Sequence, residues 1–264
     1  MENISEMENN ELDNQYSIKK ILTIWASVTL PMGFFAWILV PFIHPYFGIH
    51  PGLLYWIFMV IGMIWQFLVS VYLLKKELKV LKWEGIKKRI WANRPINSRT
   101  QKIQKRLFLW TIPVILYTYL IESSGIFDFV TKGVEKVCPF FTPQWYTNFQ
   151  ELAKPEFVGQ WWILGLAVVS TVFNYVLGEE LLFRGILLPR MSKAFGKWDW
   201  AVNGVLFATY HIHKFTEIPV FIIGDVLLPL SVKKTRSFWM GVIIHGVEAI
   251  PVYIGVLMVL TGHI

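Results

Sequence analysis

The sequence predicts an all-α integral membrane protein, and three observations carry that reading. Hydrophobic residues make up 55% of its 264 residues, with a mean hydropathy of +0.47, above the roughly 45–50% of soluble domains. The apolar residues are gathered into runs of membrane-spanning length rather than spread as one soluble core would require. Lys and Arg fall in the short segments between those runs, where topology is set. Thirteen Trp and ten Tyr suit a chain with many membrane–water boundaries, where amphipathic rings settle.

About seven spans are expected. Run one is Ile21 to Ile43, interrupted by Pro31 and Gly33. Run two is Gly52 to Leu74, ended by Lys75 and Lys76. Run three, Leu107 to Ile121, is short and carries Pro113; a mixed stretch, Glu122 to Glu156, follows. Run four begins near Phe157 and stays helix-compatible to about Lys193, so it should kink near Gly178 or project from the membrane. Runs five, six and seven are Trp200 to His211, Ile218 to Val232, and Phe238 to Leu260, the last with Pro251 as a kink. A half-span over Gly125 to Phe141 would make eight. The division expected is a polar, disordered N-terminal tail (1–18), an N-terminal membrane region (19–156) and a C-terminal membrane domain (157–264).

The charge pattern orients these spans. With the N-terminus in the cytoplasm, 21 of the 25 basic residues lie on the inside, twelve of them in the loop 75–106. Only Lys132, Lys136, Lys154 and Lys214 lie outside. Seven spans then put the C-terminus outside. The net charge of +7 therefore reads as topology and as attraction to anionic lipid at the 75–106 loop. No motif around these residues suggests nucleic acid. The single cysteine, Cys138, excludes an internal disulfide and a thiolate metal site. Met1 to Tyr16 lacks the basic start and cleavage site of a signal peptide.

Ionisable residues inside apolar runs are costly and usually functional. Glu179, Glu180, Arg184, His211, Asp225, His245 and Glu248 all lie in runs four to seven, and runs one to three carry none in mid-span. Function is thereby expected in the C-terminal half. Glu180 and Arg184 are four apart and can pair on one helix face. Glu179 points about 100° away and is left free. Glu180 and His211 are nearly equidistant from a turn near Gly196, and Asp225 and His245 from a turn near Thr235. A carboxylate and two imidazoles can thus meet roughly 15–24 Å from the cytoplasmic turns. Such a cluster can hold a divalent metal through Glu179, His211 and His245, zinc by ligand type. It can equally polarise a water directly, with His245 supporting an oxyanion. Proton relay and inter-helix bonding use the same residues. Spacing alone leaves these open. His44 and His50 read as loop punctuation, and His213 should face away from His211. Asp225 reads as a packing residue, and His263 lies near a terminus.

The stretch GEELLFRGILLPRM (178–191), with Phe207 and His211 in GVLFATYHIH and His245 in TRSFWMGVIIH, resembles the CPBP family. Its members are CAAX-prenyl proteases and bacteriocin-processing or immunity proteins. The resemblance covers roughly residues 157 to 260. It implies an intramembrane endopeptidase acting on a membrane peptide or protein, with a CPBP-like helical bundle in the C-terminal half. It implies Glu179 as catalytic glutamate, His211 as its partner on the water and His245 completing the site. Glu180, Arg184 and Phe207 would be supporting. Metal-dependent and metal-free mechanisms both remain open. The pattern departs at Ala249, where many members carry Asn; Glu248 could instead orient His245. This departure keeps a non-catalytic immunity or binding protein of the same fold as the alternative, and a small transporter as a third reading.

Overall fold

The computed structural model describes residues 14–263, and they are almost wholly helical; an isolated bridge pairs Ile96 with Ile103. The principal helices are α1 (Ile18–Phe34), α2 (Pro51–Leu78), α3 (Trp83–Arg89), α4 (Thr111–Ser123), α5 (Asp128–Val137), α6 (Trp162–Val172), α7 (Asp199–Tyr210), α8 (Ile218–Gly224), α9 (Leu227–Thr235), α10 (Phe238–Gly246) and α11 (Ala249–Thr261). Local chemistry sets their starts. The Ser17 side chain accepts from Lys20 N at α1. At α2, His50 Nδ1 accepts from Gly52 N while Pro51 occupies the first turn, where its missing N–H costs nothing. Burial, then the charge of Lys154, lowers the His50 pKa, so the ring stays neutral and able to accept.

Two ends of the bundle are tied by backbone bonds and ring contacts. At the basic end Tyr16 N bonds Arg190 O (2.9 Å), Ile96 N bonds Thr235 O (2.8 Å) and Phe238 N bonds Trp91 O (2.8 Å). At the other end Gly159 N bonds Leu260 O (3.0 Å), His50 meets Trp145 and Phe141 stacks on Phe215. In chain order these residues alternate between the ends, so the chain makes seven passes. Four passes are helices long and apolar enough to cross a membrane: Ile18–Tyr46, Pro51–Leu78, Trp162–Arg190 and Phe238–Thr261. Two more are bent pairs, Lys105–Ser123 with Asp128–Val137 (48°) and Ile212–Gly224 with Leu227–Thr235 (46°). The remaining pass, α7, has twelve residues, about 18 Å, too short for a ~30 Å hydrocarbon core. Four of the seven passes, or up to six with the bent pairs, are thus long and apolar enough to qualify as spans, fewer than the seven or eight expected. The half-span over 125–141 is the α5 arm of a bent pair.

The long helices leave Leu30, Phe42, Leu68, Tyr72 and Leu116 more than half exposed, the outward apolar face a lipid-facing bundle needs. Inside, the largest buried cluster joins Ile21, Val28 and Met32 of α1 with Leu181–Leu187 and with Phe207 and Tyr210 of α7. It draws on both sides of position 157. Without a hydrophobic drive between helices in lipid, close packing must hold them. At Gly178 an added Cβ would lie 2.9 Å from Met63 O, so the two backbones touch there. Four tryptophans tie helices instead of sitting only at the interfaces. Trp25 Nε1 donates to Leu206 O (2.8 Å), Trp37 to Ile212 O (2.7 Å), Trp56 to Ser170 Oγ (3.0 Å) and Trp65 to Ser27 O (2.9 Å).

Run four stays continuous from Trp162 to Arg190. It widens into two π-helical stretches, Phe173–Gly178 and Leu181–Leu187, on either side of Glu179 and Glu180. The second stretch is held from outside: Asn203 Nδ2 donates to Phe183 O (2.9 Å), and Arg89 donates to Gly185 O (3.0 Å) and Ile186 O (3.1 Å). Arg89 also pairs with Glu77 at 2.5 Å, so one basic residue of the 75–106 loop is a buried strut. Glu77 accepts from the Tyr16 hydroxyl as well. Burial raises the Tyr16 pKa against the pull of Arg89, and the phenol remains a donor. The expected disordered tail is corrected here: Tyr16 is 3% exposed, and Gln15 bonds Pro189 O and Ser192. Residues 1–13 of that tail lie outside the described residues.

Replacing Arg89 by Met should remove the nearer cation from Glu77, leaving it Tyr16 and the more distant Arg190, and should take a donor from two carbonyls. A buried pair broken on one side costs about 3–5 kcal/mol. The expected outcome is a clear drop in the thermal unfolding midpoint in detergent, followed by tryptophan fluorescence. An unchanged midpoint would show that the strut holds nothing.

Candidate active site

The site forms where the Trp162–Arg190 pass crosses α7 and α10. Glu179 and Glu180 lie between the two π stretches, His211 just past the last residue of α7, and His245 in the last turn of α10. Glu179 Oε2 lies 3.9 Å from His211 Nε2 and 3.8 Å from His245 Nε2. Glu179 and His245 are buried, at 3% and 4% exposure. The three residues singled out from the sequence are therefore neighbours in space.

Each imidazole is oriented by its second nitrogen. His211 Nδ1 lies 3.0 Å from Phe207 O, so Nδ1 carries the proton and Nε2 turns a lone pair toward Glu179. His245 Nδ1 lies 3.2 Å from Glu180 Oε1. Glu180 Oε1 also pairs with Arg184 NH1 at 3.4 Å, both side chains being wholly buried. The four-residue spacing places that pair as expected. What the spacing does not show is that Glu180 also holds His245. Its carboxylate reaches α10 because residue 241 is glycine: an added Cβ would lie 2.1 Å from Glu180 Oε2.

Phe207 packs all these groups. Arg184 Cζ sits 3.8 Å from its ring centroid, a cation on an aromatic face. His211 and His245 meet the ring edge-on at 4.8 and 5.4 Å. Tyr175 closes the other side of His245 at 4.8 Å. Glu248 Oε2 lies 3.8 Å from His245 Nε2, and Glu248 is half exposed, so it sits at the rim.

Two further groups come from the backbone's departures from α-helix. The Asn174 amide, with its nitrogen toward Glu179, donates to both carboxylate oxygens at 2.9 Å. Residues five apart do not share an α-helical face, but i→i+5 bonding in a π turn brings them together. No spacing rule for an α-helix finds Asn174. His213, expected to face away, lies with its ring 5.4 Å from that of His211, because α7 ends at Tyr210 and a 3-10 stretch follows. Asp225 is buried at the junction of α8 and α9 and does not line the cavity.

A cavity of about 360 Å³ contains Glu179, His211 and His245. The donor set, two imidazoles and a carboxylate, has zinc chemistry. Among the described residues, however, no three His, Cys, Asp or Glu are arranged to hold a metal ion. The Asn174 amide also occupies both oxygens of Glu179. The arrangement does not fit a metal.

Arg184→Ala should leave Glu180 with His245 as its one remaining ionic partner in a low-dielectric interior. The expected loss is about 3–5 kcal/mol, read as reduced folded yield and a lower unfolding midpoint. A normal midpoint would count against the pairing. Arg184→Lys should recover part of the loss.

Comparison with known proteins bears on the same segment. Neither the curated proteins nor the solved structures yield a match. Residues 160–249 match the family described as type II CAAX prenyl endopeptidase Rce1-like. That segment holds Glu179, Glu180, Arg184, Phe207, His211, His245 and Glu248 and closes on Ala249. Over residues 160–249 the chain is therefore similar to the Rce1-like, CAAX-protease family, in agreement with the CPBP resemblance of its three motifs.

Proposed function

We propose that the protein is an intramembrane endopeptidase that cleaves a membrane-associated peptide or protein with a water activated by Glu179 and His211. The observation that carries this reading is the pair of acceptors, Glu179 Oε2 and His211 Nε2, 3.9 Å apart in a cavity. A water about 2.8 Å from each donates one hydrogen to each. Glu179 takes the water's proton as the oxygen attacks the scissile carbonyl carbon. His245, as an imidazolium, donates through Nδ1 to the Glu180 carboxylate and through Nε2 to the oxyanion in the same space. The C–N bond then breaks, and the proton on Glu179 passes to the leaving amine. The Asn174 amide keeps the Glu179 carboxylate in place.

In this reading the basic end is cytoplasmic, the N-terminus lies with it, and the C-terminus is external, by the 21-to-4 distribution of Lys and Arg. The 75–106 loop meets anionic lipid there. A family name that speaks of CAAX prenyl endopeptidases supports peptide-bond hydrolysis. Ala249 favours the alternative, a non-catalytic immunity or binding protein, because it cannot supply an amide. The amide of Asn174, already at the carboxylate, weakens that objection.

The test is Glu179→Gln in purified protein, assayed on an internally quenched peptide library in detergent. General-base loss should lower turnover by about 10²–10⁴-fold with the unfolding midpoint retained. Glu180→Gln should instead lower the midpoint first. Turnover should survive a chelator, since no step uses a metal; abolition by chelator with rescue by zinc would replace this mechanism with a metal-dependent one. Full biological activity in a stable Glu179→Gln protein would sink the protease reading and leave the binding protein in its place.

A further inference from the structure

The direction of the cavity is fixed by where its walls begin and end. One wall is a single face of α2: Gly52, Tyr55, Trp56, Met59 and Met63. The three- and four-residue steps keep these on one side of the helix. They cover about 17 Å from its first turn. The wall stops at Met63, fifteen residues before α2 ends at Leu78 in the basic end. The facing wall is polar, made by Ser170, Thr171 and Asn174. At the rim, Asn148 and Phe149 line the cavity and are exposed. They belong to the same end as Cys138, His50 and Lys154. Below Glu179 the path is shut: Phe183 and Arg184, like Glu180, are wholly buried.

A channel therefore leads from the sparsely charged end to Glu179, and none of its walls reaches the basic end. We propose that the cavity is entered from the external face. On the hydrolase reading above, on which the substrate part rests, its substrates are then extended, uncharged peptide segments at the outer interface. Apolar side chains lie on Tyr55, Trp56 and Met59, and peptide N–H groups are accepted by the Thr171 hydroxyl oxygen, Ser170 being bonded to Trp56 and Asn174 to Glu179. A chain end emerging on the cytoplasmic side would face the closed floor. Depth agrees with this: the reactive groups lie a cavity's length from the external rim, so a surface segment need only dip into the bilayer.

Accessibility can be measured without any catalysis. The native Cys138 is the chain's single cysteine and marks the rim end; Asn93→Cys in a Cys138→Ser background marks the basic end. Thr171→Cys in that background places a thiol in the cavity, and Val252→Cys does so from the opposite wall. A charged, membrane-impermeant methanethiosulfonate is applied to intact cells and to inverted vesicles. Cys138, Thr171→Cys and Val252→Cys should all react at least tenfold faster in intact cells, and Asn93→Cys in inverted vesicles. Cavity thiols that react faster in inverted vesicles, or from neither side in protein that folds normally, overturn the proposal. A Cys138 that reacts only in inverted vesicles overturns its external placement. Loss of the hydrolase reading would appear separately, as an accessible cavity whose Glu179→Gln variant behaves as wild type.

Discussion

The site depends on one buried carboxylate. Glu180 binds Arg184 on its own helix and His245 on another, and each bond serves a different end. The pair with Arg184 keeps a full negative charge tolerable where water is absent, since an unpaired ion there would cost several kcal/mol. The bond to His245 ties α10 to the Trp162–Arg190 pass and fixes which imidazole nitrogen faces the cavity. Gly241 is the steric condition for both, because α10 could not otherwise approach. Phe207 then accepts the guanidinium on its face and both imidazoles on its edges. Remove the charge pair and there is no reason for the rings to stand where they do.

The second constraint is the helix that carries the two glutamates. A regular α-helix would turn Asn174 away from Glu179, and all its carbonyls would be used internally. The π stretches change both facts. They bring Asn174 over the Glu179 carboxylate, and they free carbonyls that Arg89 and Asn203 take up. An expanded helix is thus held open by side chains from a loop and from α7. The basic loop, read from charge alone as a topology signal, contributes structure to the helix that holds the candidate catalytic glutamate.

Much of this was legible before any coordinates. Buried ionisable groups announce themselves in apolar runs, and helical spacing pairs Glu180 with Arg184. Nearly equal distances from the turns level Glu180 with His211, and Asp225 with His245, close enough in depth for a carboxylate and two imidazoles to meet. What spacing could not reveal has physical causes. Asn174 is found only if the helix is known to be π rather than α. His213 turns toward His211 because α7 ends one residue before His211. Fewer passes qualify as spans than there are apolar runs, because an apolar run shows composition, not length of helix, and α7 ends after twelve residues. The tail's polarity suggested disorder, yet Tyr16 finds a partner in Glu77 that no local pattern points to.

The short α7 has a further consequence. Its helix ends, and the chain goes on through Ile212–Glu217 as a 3-10 stretch with Lys214 in a non-helical conformation. Backbone of this kind is tolerated at membrane depth only where protein buries it or where it lines a water-filled space. His213 and Lys214 line the cavity of Glu179. The break that deprives α7 of a full crossing therefore turns part of its backbone to protein, as at Ile212 O, which accepts from Trp37, and part to the same cavity. Water is one of the two reactants in any hydrolysis and the scarcer one inside a bilayer. On the hydrolase reading proposed above, water that reaches the interrupted backbone and water consumed by the reaction would come from a single reservoir.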